Sequence, residues 1–135
     1  MFPTITEYEN LVYDLPNKYP QIEFSTLVLK RVGFALCYLE GELHFPNDIK
    51  LSVDETIDYD NNAIETYSYE VYRGIKKLYW YDSQPHPHDQ SLRSNHPHHK
   101  HIEPDIKHHR VPAQELSFAS PNLSFLIEGI IETLL

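Results

Sequence analysis

The chain has 135 residues, enough for one hydrophobic core and too few for two, so a single domain spanning 1–135 is expected. Its formal charge is −9, with 20 Asp and Glu against 11 Lys and Arg, which weighs against general affinity for nucleic-acid backbones. The lone Cys37 excludes an internal disulfide. With no run of about 18 apolar residues and no leader-like start, a cytoplasmic protein without membrane contact is expected.

Thr4-Ile5-Thr6-Glu7 has the spacing of a capping box, and Ile5, Tyr8, Leu11 and Val12 recur at helical intervals, predicting a short first helix that Asn17 and Pro20 end. From Gln21 the period changes to two, and Ile22, Phe24, Thr26 and Val28 alternate with Glu23, Ser25, Leu27 and Leu29 as in a strand. Phe34 to Leu39 is read as the next strand, with Cys37 a buried thiol within it, Glu40-Gly41 as a tight turn, and Leu43 to Phe45 as the strand after it, in which His44 is structural. Beyond the Pro46-Asn47-Asp48 turn, Ile49, Leu51, Val53, Glu55 and Ile57 line one face and Lys50, Ser52, Asp54 and Thr56 the other. Asp60-Asn61-Asn62 and Arg73-Gly74 then punctuate strands at Ile64 to Tyr72 and Lys77 to Tyr81. Connections this short leave no room for crossover helices, so the strands pair antiparallel as a meander of about five to six.

The aromatic run Tyr67, Tyr69, Tyr72, Tyr79, Trp80 and Tyr81 is expected as half-exposed sheet packing, with base stacking as its functional alternative. Periodicity then stops, and prolines at 85, 87, 97, 104 and 112 argue against a continuous helix or a central strand, leaving a functional His/Pro-rich loop over 85–111. Ser120 as a cap, Pro121 in a first turn, and apolar Leu123, Phe125, Leu126, Ile127, Ile130, Ile131 and Leu134 predict a terminal helix packed on the sheet. The fold class is therefore α+β, an antiparallel meander with a short N-terminal and a C-terminal helix.

Charge separates the same two regions. Residues 1–84 hold fourteen acidic against seven basic side chains, whereas 85–110 hold three against four and eight of the nine histidines. Mild acidification makes that segment markedly more positive. It reads Tyr-Asp-Ser-Gln-Pro-His-Pro-His-Asp over 81–89, Asn-His-Pro-His-His-Lys-His over 95–101 and Lys-His-His-Arg over 107–110.

The Pro97-His98-His99-Lys100-His101 run, following an aromatic-Tyr81-Asp82 strand end and a Pro85-His86 element, resembles the TumE family of small bacterial toxins encoded beside an antitoxin. The order of Glu55, the Tyr67 and Tyr69 strand, the His motifs and a final helix is also similar, over roughly residues 34 to 135. Three positions differ from the family pattern: Trp80 stands where arginine is usual, Ser83 where asparagine is usual, and Pro87 where a second histidine is usual. The resemblance implies a toxin with a cognate antitoxin as partner.

Histidines around one phosphodiester can serve as general base and acid while a cation stabilises the developing charge, and RNA supplies its own 2′-hydroxyl nucleophile without a metal. The expected proton-transfer set is His86, His98, His99 and His101, with Lys100 as electrostatic help and Asp82 orienting an imidazole. Tyr81, Arg93, Lys107 and Arg110 are candidates for binding an RNA substrate. If 97–101 is extended, His99 and His101 face one side and His98 and Lys100 the other, so the four cannot share one site. No cofactor is expected. The alternatives are a metal-dependent phosphodiesterase using His86, His88, His96 and His98 around Zn, Ni or Mn, and a non-enzymatic binding protein or inactive toxin relative; a homodimer is open.

Overall fold

The computed structural model describes residues 2–83, 98–102, 110–112 and 115–135. Helix α1 (Ile5–Tyr13) starts at the capping box read from the sequence: the Thr4 amide donates to Glu7 Oε1 (2.9 Å) and the Glu7 amide to Thr4 Oγ1 (3.2 Å). A short α2 (Leu15–Lys18) follows, with Pro16 in its first turn, where its missing N–H costs nothing.

Among the described residues, eight strands then form one antiparallel sheet: β1 (Phe24–Ser25), β2 (Val28–Val32), β3 (Leu36–His44), β4 (Ile49–Asp58), β5 (Ala63–Arg73), β6 (Lys76–Asp82), β7 (His99–His101) and β8 (Arg110–Pro112). Strands β3 to β8 lie in chain order, and β1 and β2 both pair with β3 at one edge. The meander follows the sequence expectation, with four local differences.

The Ile22–Leu29 strand is two strands, and Glu40-Gly41 is no turn: β3 runs straight through it. Gly41 has φ +136°, and a Cβ there would lie 2.5 Å from the Thr26 carbonyl oxygen. The glycine is thus the point where the chain between β1 and β2 presses against β3. Beyond β6, the histidine segment contributes β7 between two neighbours and β8 beside it, where a loop was expected. Proline restricts its own position and the one before it, and residues 98–102 contain none. The fourth difference lies at the C terminus, where Asn122 rather than Ser120 precedes helix α3 (Leu123–Leu134).

One face of the sheet carries the core. Ile49, Leu51, Val53, Glu55 and Ile57 of β4 are all buried, as their alternation requires, and Cys37, Leu39, Leu43, Tyr67, Tyr69, Val71 and Tyr81 join them. Over this face α1 contributes Tyr8 and Val12 and α3 contributes Leu123, Leu126, Ile127 and Ile130. The two helical regions meet where the Tyr19 hydroxyl donates to Glu128 Oε2 (2.6 Å). The opposite face, with Ser52, Asp54, Ser68 and Glu70, is half-buried to exposed. No described helix is long and apolar enough to cross a membrane.

Candidate functional site around the histidine strand

Strand β7 is three residues long and is zipped on both sides: Trp80 pairs with His101, Tyr81 with Lys100 and Asp82 with His99, while Pro112, Val111 and Arg110 pair with His99, Lys100 and His101 on the other side. The strand period of two divides its side chains between the faces of the sheet. His101 lies on the face opposite the helices, in the row of Trp80 and Glu70. Lys100 lies on the helix face, in the row of Tyr81 and Tyr69.

His101 is only 2% exposed although it occupies the open face. Its Nε2 is 3.0 Å from Asp82 Oδ2, and Trp80 Nε1 donates to the same oxygen at 3.1 Å. The Trp80 indole also stacks on the imidazole, with ring centroids 4.1 Å apart. A carboxylate accepting from one ring nitrogen fixes the tautomer and the orientation of the ring.

His98 stands on the helix side. Its Nδ1 is 2.6 Å from the Tyr67 hydroxyl, its ring is nearly coplanar with the Tyr67 ring (5°, centroids 5.7 Å), and Phe118 lies 4.4 Å away. Burial, with Asp82 and Tyr81 adding to it, raises the Tyr67 pKa above the ordinary phenol value, so this hydroxyl keeps its proton near neutrality. When the phenol donates to Nδ1, the imidazole proton sits on Nε2 of this half-exposed ring.

The Lys100 ammonium sits over the Tyr79 ring at 4.4 Å and near the Tyr81 ring at 5.3 Å. Burial lowers its pKa, with the field of Glu115 opposing. Among the described residues no carboxylate lies within ion-pair distance of it, so the two phenol faces carry its stabilisation.

Behind this layer lies a second polar group. Glu55 is wholly buried, Tyr8 and Tyr69 each donate to one of its oxygens at 2.5 Å, and Asn122 Nδ2 donates to the Tyr69 hydroxyl at 3.1 Å. Burial raises the Glu55 pKa to about 7 against these hydrogen bonds, which pull it down. Tyr67 and Tyr69 stack at 4.9 Å, placing this group next to the His98 pair.

The structure therefore brings Asp82 to His101 and Lys100 to Tyr81, and it separates His98 from His101 by the thickness of the sheet. His99 and Arg110 are described by their backbone pairing alone. His86, His88, His96, Arg93 and Lys107 lie outside the described residues. Tyr81 is buried and lies edge-on to Phe125 at 6.3 Å, so it is a wall of the core, as are Tyr67 and Tyr69; the half-exposed packing expected for all six aromatics holds only for Tyr72, Tyr79 and Trp80. Among the described residues no three metal-ligating side chains form a group.

The sequence did not mark Tyr67 or Trp80 as partners of histidines, and it marked Ser83 only as a departure from the family pattern; the Ser83 Oγ accepts the Tyr67 amide at 3.0 Å and extends the ladder past β6. The aromatic run was the advance signal for the two rings.

The sequence profile described as Toxin TumE matches residues 18–134, most of the chain. The chain belongs to the TumE toxin family. Neither a curated protein nor a solved structure matches it. Family membership supports a role as the toxin partner of a toxin–antitoxin pair, and it includes every described residue of the two histidine centres.

Proposed function

We propose that this TumE-family toxin acts on RNA inside the cell, cleaving it by histidine acid–base chemistry without a metal, under control of a cognate antitoxin. The observation that carries the reading is the Tyr67–His98 pair: an imidazole held at Nδ1, half exposed, on the same side of β7 as the Lys100 ammonium. An oriented imidazole can take or give a proton at a 2′-hydroxyl or a leaving oxygen, and a neighbouring cation favours the charge that develops on phosphorus oxygens. His86 and His99 stay in the proton-transfer set. His101 and Asp82 take the positioning role, because an imidazole 2% exposed does not meet substrate; they hold β7 in register.

The burial of His101 also favours a second reading, in which β7 is a structural clasp and the protein inhibits by binding alone. Inducing wild type, His98→Ala and the His99→Ala, His101→Ala double variant in the native host separates the two. On the proposal, His98→Ala loses growth arrest and RNA breakdown by about two orders of magnitude while retaining the wild-type melting temperature. Undiminished toxicity of His98→Ala and the double variant together would sink the histidine mechanism, and loss of wild-type cleavage in EDTA would transfer the reaction to a metal site.

A further inference from the structure

An open groove of about 510 Å³ runs beside the end of α3, lined by Arg73, Lys76, Leu78, Tyr79, Lys100, Ile102 and Leu134. Three cations meet there in a chain of net charge −9, and the described residues that line the groove include no carboxylate. Arg73 and Lys76 face each other across the β5–β6 hairpin, and Lys100 reaches the site from β7, leaning on Tyr79. Lys100 is partly stripped of water without an ion-pairing carboxylate among the described residues, an arrangement that favours an anion approaching from the groove. The half-buried ring of Tyr79 and the side chains of Leu78 and Ile102 add a wall able to take the flat face of a base.

The geometry points to a phosphate-ester site at Arg73, Lys76, Lys100 and Tyr79, taking the phosphate of a nucleotide unit with its base against the tyrosine wall. A phosphate matches the chemistry on each side: the Arg73 fork can bind two oxygens at once and the lysines supply point charges. Its assignment to RNA, rather than to a free nucleotide, rests on the RNA-directed reading above. Lys100 then joins the two sites, since it borders this groove and shares its side of β7 with His98.

The test uses the full chain and a fluorescent 2′-O-methyl oligonucleotide, which binds without being cleaved, so binding is read independently of the histidine chemistry. Anisotropy is followed for wild type, Arg73→Glu with Lys76→Glu, Lys100→Gln, and a control of equal charge change, Lys18→Glu with Lys30→Glu. Melting temperatures accompany each protein. The groove double variant is expected to bind roughly tenfold or more weakly, with a salt slope shallower by about 1.4, while the control stays near wild type. Lys100→Gln is expected to weaken binding several-fold. Adenosine monophosphate and inorganic phosphate form separate arms: displacement only by oligomer assigns the site to RNA, and displacement by millimolar monophosphate assigns it to the free nucleotide. Equal affinities for groove variant and wild type, an equal loss in the control, or binding of a glutamate-rich peptide with none of the oligonucleotide overturns the proposal. Loss of cleavage in His98→Ala with oligonucleotide binding intact leaves the groove standing; binding by a protein that never cleaves RNA removes only the reading above.

Discussion

With both oxygens of Glu55 engaged by phenols and its pKa raised to about 7 by burial, the proton on this one side chain is coupled to folding. The ordinary value of 4.5 applies to the unfolded chain, so the folded state binds the proton more tightly between pH 4.5 and about 7. The stabilisation is fully present below 4.5, declines as pH rises through that window and is level above it, a loss on the order of 3 kcal/mol. Glu55→Gln cannot ionise. Urea denaturation at pH 4.5, 6 and 7.5 is expected to show the stability difference between wild type and variant shifting in the variant's favour as pH rises. A constant difference would show that Glu55 does not titrate in this range. Tyr69→Phe tests the other side of the same group: it leaves Asn122 Nδ2 and one Glu55 oxygen each short of a partner, and should cost about 2–4 kcal/mol in the urea midpoint.

Among the elements, β7 is the shortest strand with a neighbour on both sides, so its stability leans on side chains more than that of β4 or β5. His101→Ala removes the imidazole from both Asp82 and the Trp80 ring. Amide exchange at 99–101 and 110–112 should then accelerate by about an order of magnitude or more while β3 to β5 keep their protection. Trp80→Phe retains a stacking ring and deletes the Nε1 donor, so it should have the smaller effect on the same amides. At the other edge, Gly41→Ala places a methyl against the Thr26 carbonyl and forces a side chain onto positive φ, with an expected loss of about 2–4 kcal/mol read from the denaturant midpoint. Gly129→Ala serves as its comparison, since nothing lies within 4 Å of the added carbon.

Across the whole molecule, what the sequence made legible is what repeats. The alternation of Ile49 to Ile57 identified both the strand and its buried face, including Glu55, because one-sided burial writes a period of two into the residues. Thr4 and Glu7 were readable because a cap depends on neighbours three positions apart. Gly41 was not: a glycine between two hydrophobic stretches looks the same whether the chain reverses there or another segment crosses it. Nor was β7, since three residues are too few to show a period, and Asp82 lies 19 positions from His101 as Tyr67 lies 31 from the neighbouring His98. Asp82 stood out as an imidazole acceptor by adjacency, yet only the tertiary fold selects His101. Asn122 was missed for a related reason, its amide being used across the core on Tyr69 instead of on its own helix.

The division of β7 between two faces sets a rule for changes in chain length. A deletion that slips β7 by one residue against β6 would exchange the environments, turning the Lys100 ammonium toward Trp80 and the imidazole of His101 into the tyrosine wall of the groove. Length changes within 84–97 leave that parity untouched. Toxins of this family that keep both centres should therefore vary in the spacing between the β6 end and the histidine run while holding the run itself at constant length.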